Sequence, residues 1–250
     1  MEGPAFWLAA VLAAALVGMA KGGLPVVGML SVPVLALVIS PVAAAGLLLP
    51  VYVLSDMFGL YAYRRAFDRR VLSILVPATT LGVGLGWLTA SFISEQVVEG
   101  LVGLIGAVFA ANLLLRRGED PPARPANRAA GTFWGAISGF TSFVSHAGGP
   151  PYQVFVLPLR LEKTVFAGTS TILFAYVNAI KLVPYWALGQ LSLANLKVAA
   201  VLTVPAVVSV FLGVWMVRRL PTKLFFRLVG WALLLVSLKL LWDALSPVIA

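Results

Sequence analysis

The sequence has no cysteine and a single histidine, His146. The first absence excludes disulfides, thiolate chemistry and cysteine-ligated metal. The second leaves no histidine cluster to hold a metal ion. No metal or other cofactor is expected. Charge is also scarce, at 11% of residues, where a soluble domain carries about a quarter. What is left is 61% hydrophobic, with a mean hydropathy of +1.00. That balance implies an integral membrane protein whose first partner is the lipid bilayer. A net charge of +9 would by itself suit nucleic acid. Basic residues collected in the cytoplasmic loops of a membrane protein produce the same excess, so no nucleic-acid partner is expected. No Lys or Arg precedes Lys21, so the basic start of a signal peptide is not expected either. With one His, scattered Asp and no Cys, no catalytic constellation emerges, and the protein is not expected to be an enzyme.

What the chain does have is apolar runs, and the most informative of them is interrupted. Ala20-Lys21-Gly22-Gly23-Leu24-Pro25 sits between apolar stretches that reach back to Ala5 and on to Ile39. Glycine and proline side by side break a helix. In lipid, a broken backbone is tolerated only where it is buried in protein or lines a cavity. The second half repeats the device as Ser145-His146-Ala147-Gly148-Gly149-Pro150-Pro151.

Runs of about 17–25 apolar residues are long enough to span a bilayer as helices. The sequence predicts short helices at Pro4–Ala20 and Leu24–Ser40, then longer ones at Val42–Tyr63, Val71–Phe92 and Glu95–Leu115. A polar linker, Arg116–Arg128, follows. Short helices are predicted again at Ala129–Ser145 and Pro150–Leu161, then long ones at Thr164–Leu188, Leu193–Val217 and Thr222–Leu245. The domains are thus a first repeat over 1–115, a cytoplasmic linker over 116–128 and a second repeat over 129–250.

With ten segments, the loops holding Arg64, Arg65, Arg69 and Arg70, the linker arginines, Arg160 with Lys163, and Arg218, Arg219 and Lys223 all fall on one side. Lys and Arg mark the cytoplasmic side. Glu2, Glu95, Glu99 and the base-free loop Gly189–Asn195 fall on the other. A multi-pass protein of the plasma (inner) membrane is expected, with both termini outside the cytoplasm.

The halves also align with each other. Gly22-Gly23 matches Gly148-Gly149, and Ala45-Gly46 matches Ala167-Gly168, which pairs Asp56 with Asn178. Val76-Pro77-Ala78 matches Val204-Pro205-Ala206, which pairs Trp87 with Trp215, and Val102-Gly103 matches Val229-Gly230. Five segments per half is an odd number, so the second half starts on the opposite face. The fold expected is all-α, two inverted-topology repeats of five segments, each opening with a broken or re-entrant hairpin. Secondary transporters are built this way, with the substrate held near the midplane by discontinuous helices.

Gly18-Met19-Ala20-Lys21-Gly22-Gly23-Leu24-Pro25 near the start, and Gly135-Ala136-Ile137-Ser138-Gly139-Phe140 leading to Gly148-Gly149-Pro150-Pro151, resemble the sulfite exporter TauE/SafE family. The resemblance covers nearly the whole chain. It implies a transporter of sulfite, thiosulfate, sulfonates or related small organic anions, and export as the direction. Many members carry a richer glycine run where this chain has Lys21-Gly22-Gly23-Leu24.

Lys21 is the candidate cation for such an anion, beside amides freed at Gly22 and Gly23. Helix N-termini near Leu24 and Pro150 would add positive dipole ends. His146, Gly148, Gly149, Gln153 and Lys181 complete the candidate substrate-binding set. Asp56 is an intramembrane carboxylate and a functional candidate for that reason. It could neutralise Lys21 in the empty state or carry a coupling proton, with Asn178 as its repeat partner. The function expected is secondary transport of a small anion by alternating access, with an anion channel or a carriage of small carboxylates as the alternatives. A homo-oligomer stays open.

Overall fold

The computed structural model describes residues 3–25, 27–89, 92, 94–115, 122–187 and 193–249. Glu2, the first part of the expected linker (116–121), the last residue of the helix expected over Thr164–Leu188 and most of the base-free loop (189–192) lie outside them. Among the described residues every regular element is helical: α1 Pro4–Lys21, α2 Ser31–Ala36, α3 Pro41–Tyr63, α4 Arg69–Thr89, α5 Glu95–Leu115, α6 Arg128–Ser145, α7 Gly149–Val156, α8 Lys163–Ala187, α9 Leu193–Arg219 and α10 Thr222–Ile249. Short 3-10 turns cover Val27–Leu30 and Leu157–Leu159.

Among the described residues, seven helices are long and apolar enough to cross a membrane, by length and composition. They are Pro4–Lys21, Ala43–Tyr63, Arg69–Thr89, Gln96–Leu115, Lys163–Ala187, Asn195–Arg219 and Thr222–Ser246. The protein is therefore a multi-pass membrane protein. Their outer faces carry exposed Leu81, Leu88, Trp215 and Trp242, which suits contact with lipid. The run expected as one helix over Leu24–Ser40 is a 3-10 turn followed by six-residue α2. Pro33 lies inside that short helix and contributes no backbone donor. At about 1.5 Å per residue neither α2 nor eight-residue α7 spans a bilayer.

The chain divides into two compact units, Met1–Phe67 with Thr164–Leu220, and Asp68–Lys163 with Pro221–Ala250. Each takes elements from both sequence halves. In the first unit α1 packs along α9, and α3 also lies against α9. A side chain at Gly22 would come within 2.7 Å of the Gly213 Cα, so the helix backbones approach closely there. The buried floor of this unit is aliphatic: Ala10, Ala13, Val17, Leu47, Leu48, Val51 and Leu202. In the second unit α6 packs along α4, and α5 along α10.

Candidate ion site

The break after α1 is a helix C-cap. Gly23 adopts φ +106°, a left-handed conformation that glycine reaches without steric cost. Gly22 N–H donates to Gly18 O (2.8 Å), Gly23 N–H to Ala20 O (3.1 Å) and Leu24 N–H to Met19 O (3.2 Å). This is the Schellman arrangement. It corrects the expectation of bare amides at Gly22 and Gly23: α1 consumes both. It also places the negative end of a helix dipole at Lys21, which favours the ammonium and not an anion. Among the described residues no α-helix begins near Leu24: a 3-10 turn starts at Val27 and the next α-helix at Ser31.

One face of α3 receives this break. Tyr52, Asp56, Gly59 and Tyr63 recur at spacings of four, three and four, which aligns them along a helix. Tyr63 Oη donates to Gly22 O at 2.6 Å. Gly59 leaves room for the end of α1, since a Cβ there would sit 2.9 Å from Lys21 O. Asp56 Oδ1 lies 2.8 Å from Lys21 Nζ. The Lys21 ammonium also stands 5.0 Å from the Tyr52 ring centroid, within cation–π range. Tyr52 Oη, Ser31 Oγ and Gly28 O lie within hydrogen-bond distance of one another; with two hydroxyl protons for three contacts, one hydroxyl donates to the other, which donates to Gly28 O.

Helix α8 runs antiparallel beside α3. Gly168 abuts Ala66 and Tyr63, and Thr171 abuts Gly59. Thr171 Oγ1 donates to Lys21 O at 3.2 Å, and Asn178 Nδ2 donates to Asp56 Oδ2 at 2.8 Å. Thr171, Asn178, Lys181 and Tyr185 share one face, and Lys181 Nζ stands 5.8 Å from the Tyr185 ring centroid. Lys181 lies in the field of both Lys21 and Asp56. Lys21, Asp56 and Lys181 are 4%, 3% and 1% exposed. Among the described residues these are the buried side chains of ionisable type Lys, Arg, Asp or Glu. Asp56 Oδ1 touches Lys21 as an ion pair, yet no donor reaches it with hydrogen-bond geometry.

The remaining candidates belong to the second unit. His146 caps α6 in the left-handed region, φ 53°. Ser138 Oγ donates to Gly148 O and Thr141 Oγ1 to Ala147 O. Helix α7 starts at Gly149. Its prolines, Pro150 and Pro151, have no N–H, and Tyr152 N–H donates to Gly148 O. The expected dipole end near Pro150 is thus poor in donors. Gln153 is fully buried, and neither amide atom has a hydrogen-bond partner.

Lys21, Asp56, Asn178 and Lys181 are thus brought together. Tyr52, Gly59 and Tyr63 were absent from the expected site, although their spacing with Asp56 could have drawn attention to them.

Apolar helices of spanning length, with charged side chains buried among them, define a polytopic membrane protein. A family model described as Sulfite exporter TauE/SafE matches residues 7–240, and the chain belongs to that family of membrane transporters. No curated protein and no solved structure matches the chain.

Proposed function

We propose that the protein is a secondary transporter of small sulfur-containing anions, such as sulfite, thiosulfate and organosulfonates, held at Lys21 and Lys181. The observation that carries this reading is the burial of Lys21 and Lys181 together with Asp56 and Asn178 among apolar helices. A buried charge is expensive unless it is paired. A cationic side chain inside the membrane is a functional candidate, and a small anion is a partner whose charge suits it. Asp56 lies seven residues before the end of its span at Tyr63, about 10 Å along the helix, which favours a site inside the bilayer. Lys181 lies six residues before Ala187.

An inverted repeat of five elements supplies the alternating access. Its support is reciprocity of contacts, the mark of a two-fold relation. Helix α1 packs on α9 and α6 on α4, the first element of each half against the fourth of the other. The fifth elements, α5 and α10, pack on each other. The third elements, α3 and α8, run antiparallel and meet through Asp56 and Asn178. The arginine-rich connection Arg64–Arg70 favours a cytoplasmic face there, in the inner membrane, with both termini on the opposite side.

The test is a binding and transport screen on purified full-length protein. Sulfite, thiosulfate, methanesulfonate and acetate are compared by thermal shift and by uptake into proteoliposomes. Sulfur anions should stabilise the protein and Lys21→Gln should abolish their uptake. Undiminished uptake by that variant would refute the assignment, acetate preference would move the substrate to carboxylates, and flux that never saturates would indicate a channel.

A further inference from the structure

From the hydrogen bonds at the end of α1 we infer that Tyr63 and Thr171 are positioning residues for Lys21: they fasten the backbone that carries its ammonium to the two helices that hold Asp56 and Asn178. The inference rests on the reading of Lys21 as a cation of the anion site. The last carbonyls of a helix have no partner within it, and an unsatisfied carbonyl among apolar helices is costly. The cap at Gly23 uses the carbonyls of Gly18, Met19 and Ala20. Those of Lys21 and Gly22 are taken up from outside the helix. Tyr63 Oη donates to Gly22 O at 2.6 Å, and Thr171 Oγ1 donates to Lys21 O at 3.2 Å. One donor comes from α3 and the other from α8. Both residues are buried, so bulk water is kept from the two bonds.

Their placement gives these bonds more to do than satisfy two carbonyls. Tyr63 follows Asp56 by seven residues on α3, and Thr171 precedes Asn178 by seven on α8. Seven residues are about two turns, so each hydroxyl shares a helix face with Asp56 or Asn178, about 10 Å along the axis. The two helices are joined directly where Asn178 Nδ2 meets Asp56 Oδ2. Two turns away they are joined through the end of α1. Lys21 therefore reaches Asp56, at 2.8 Å, from a backbone pinned at two points of one frame. A lysine carries its charge on a flexible four-carbon stem, so the place of the ammonium depends on where its backbone is held. Gly59 lets α1 seat this deeply, since a Cβ there would lie 2.7 Å from Thr171 Cγ2 and 2.9 Å from Lys21 O. Loss of either bond frees the end of α1 to shift, and the ammonium shifts with it.

The test measures thiosulfate uptake by the full-length protein in proteoliposomes, as half-saturating concentration and maximal rate, beside the unfolding midpoint in detergent. Tyr63→Phe and Thr171→Val each remove one hydroxyl and keep the bulk. Each should raise the half-saturating concentration about two- to tenfold, the worth of one hydrogen bond. Thr171→Ser keeps the hydroxyl and should stay near wild type. Thr203→Val is the control: it removes a hydroxyl bonded to Ala199 O within α9 and should leave half-saturation unchanged. Lowered midpoints with unchanged half-saturation in both Tyr63→Phe and Thr171→Val would make the two bonds purely structural and overturn the inference. A Thr171→Ser protein that behaves like Thr171→Val would overturn the role of the Thr171 bond. A second arm needs no ligand. Lys21→Met should cost less stability in the Tyr63→Phe background than in the wild type, because a loosened ammonium pairs less well with Asp56; strictly additive losses overturn the inference as well. If the wild type takes up no sulfur anion, the anion-site reading itself fails, and the ligand-free arm alone decides the positioning. Where Tyr63→Phe does not fold, the near-isosteric Thr171→Val carries both arms.

Discussion

Replacing Lys21 by Met keeps the unbranched stem and removes the ammonium. Asp56 is then a carboxylate of 3% exposure whose 2.8 Å cationic partner has gone. An exposed pair would cost only about 0–1 kcal/mol to break. Losing one member of a buried pair typically costs about 3–5 kcal/mol, because the survivor stays desolvated and uncompensated. The Asn178 hydrogen bond and the field of Lys181 remain to Asp56 and keep the loss toward the lower end of that range. The double variant Lys21→Met/Asp56→Leu removes both charges; it leaves Asn178 without its acceptor, a penalty of about 1–3 kcal/mol, and takes the neighbouring carboxylate from Lys181 along with the neighbouring ammonium. The double variant should therefore be more stable than Lys21→Met alone. Unfolding of the purified protein in detergent, followed by tryptophan fluorescence, measures both variants and the coupling between them. A single-variant loss below about 1 kcal/mol, or a double variant less stable than the single, would refute a buried, mutually dependent pair.

The α1 break makes a second prediction. Gly23→Ala forces a φ of +106° on a residue with a Cβ, which would also lie 2.5 Å from the Tyr63 hydroxyl and 2.7 Å from the Ala167 Cβ. It should destabilise by at least about 2 kcal/mol in the same unfolding assay; an unchanged midpoint would contradict the cap. In the second unit, Gln153→Leu replaces a buried carboxamide whose two polar atoms lack partners. Such groups cost about 1–3 kcal/mol each, so the unfolding midpoint should rise, and a fall would reveal a bonding partner for that amide.

Helix positions were legible because apolar runs bounded by Gly, Pro and Arg leave few choices. Glu95–Leu115 is found as expected. Leu24–Ser40 was misjudged because hydropathy does not register the local effect of Pro25 and Pro33. The break itself was plain from Gly22-Gly23, but its chemistry was not. Sequence shows that a helix ends, and only the φ of Gly23 and the carbonyls of Gly18, Ala20 and Met19 show that its own cap absorbs the amides. Asp56 and Lys21 announce themselves as charges within apolar runs. Tyr63 and Thr171 do not, because their contacts with Gly22 and Lys21 link positions far apart in the chain.

The hydrogen bond between Asn178 and Asp56 joins two positions that also correspond when the halves are aligned. In an assembly of two identical halves that contact would set like against like. Two aspartates would repel, and two asparagines would bring no counter-charge to Lys21. Holding both halves on one polypeptide removes this constraint, because a donor can occupy one copy of the position while an acid occupies the other. On one chain the contact is asymmetric, with the donor at Asn178 and the acid at Asp56.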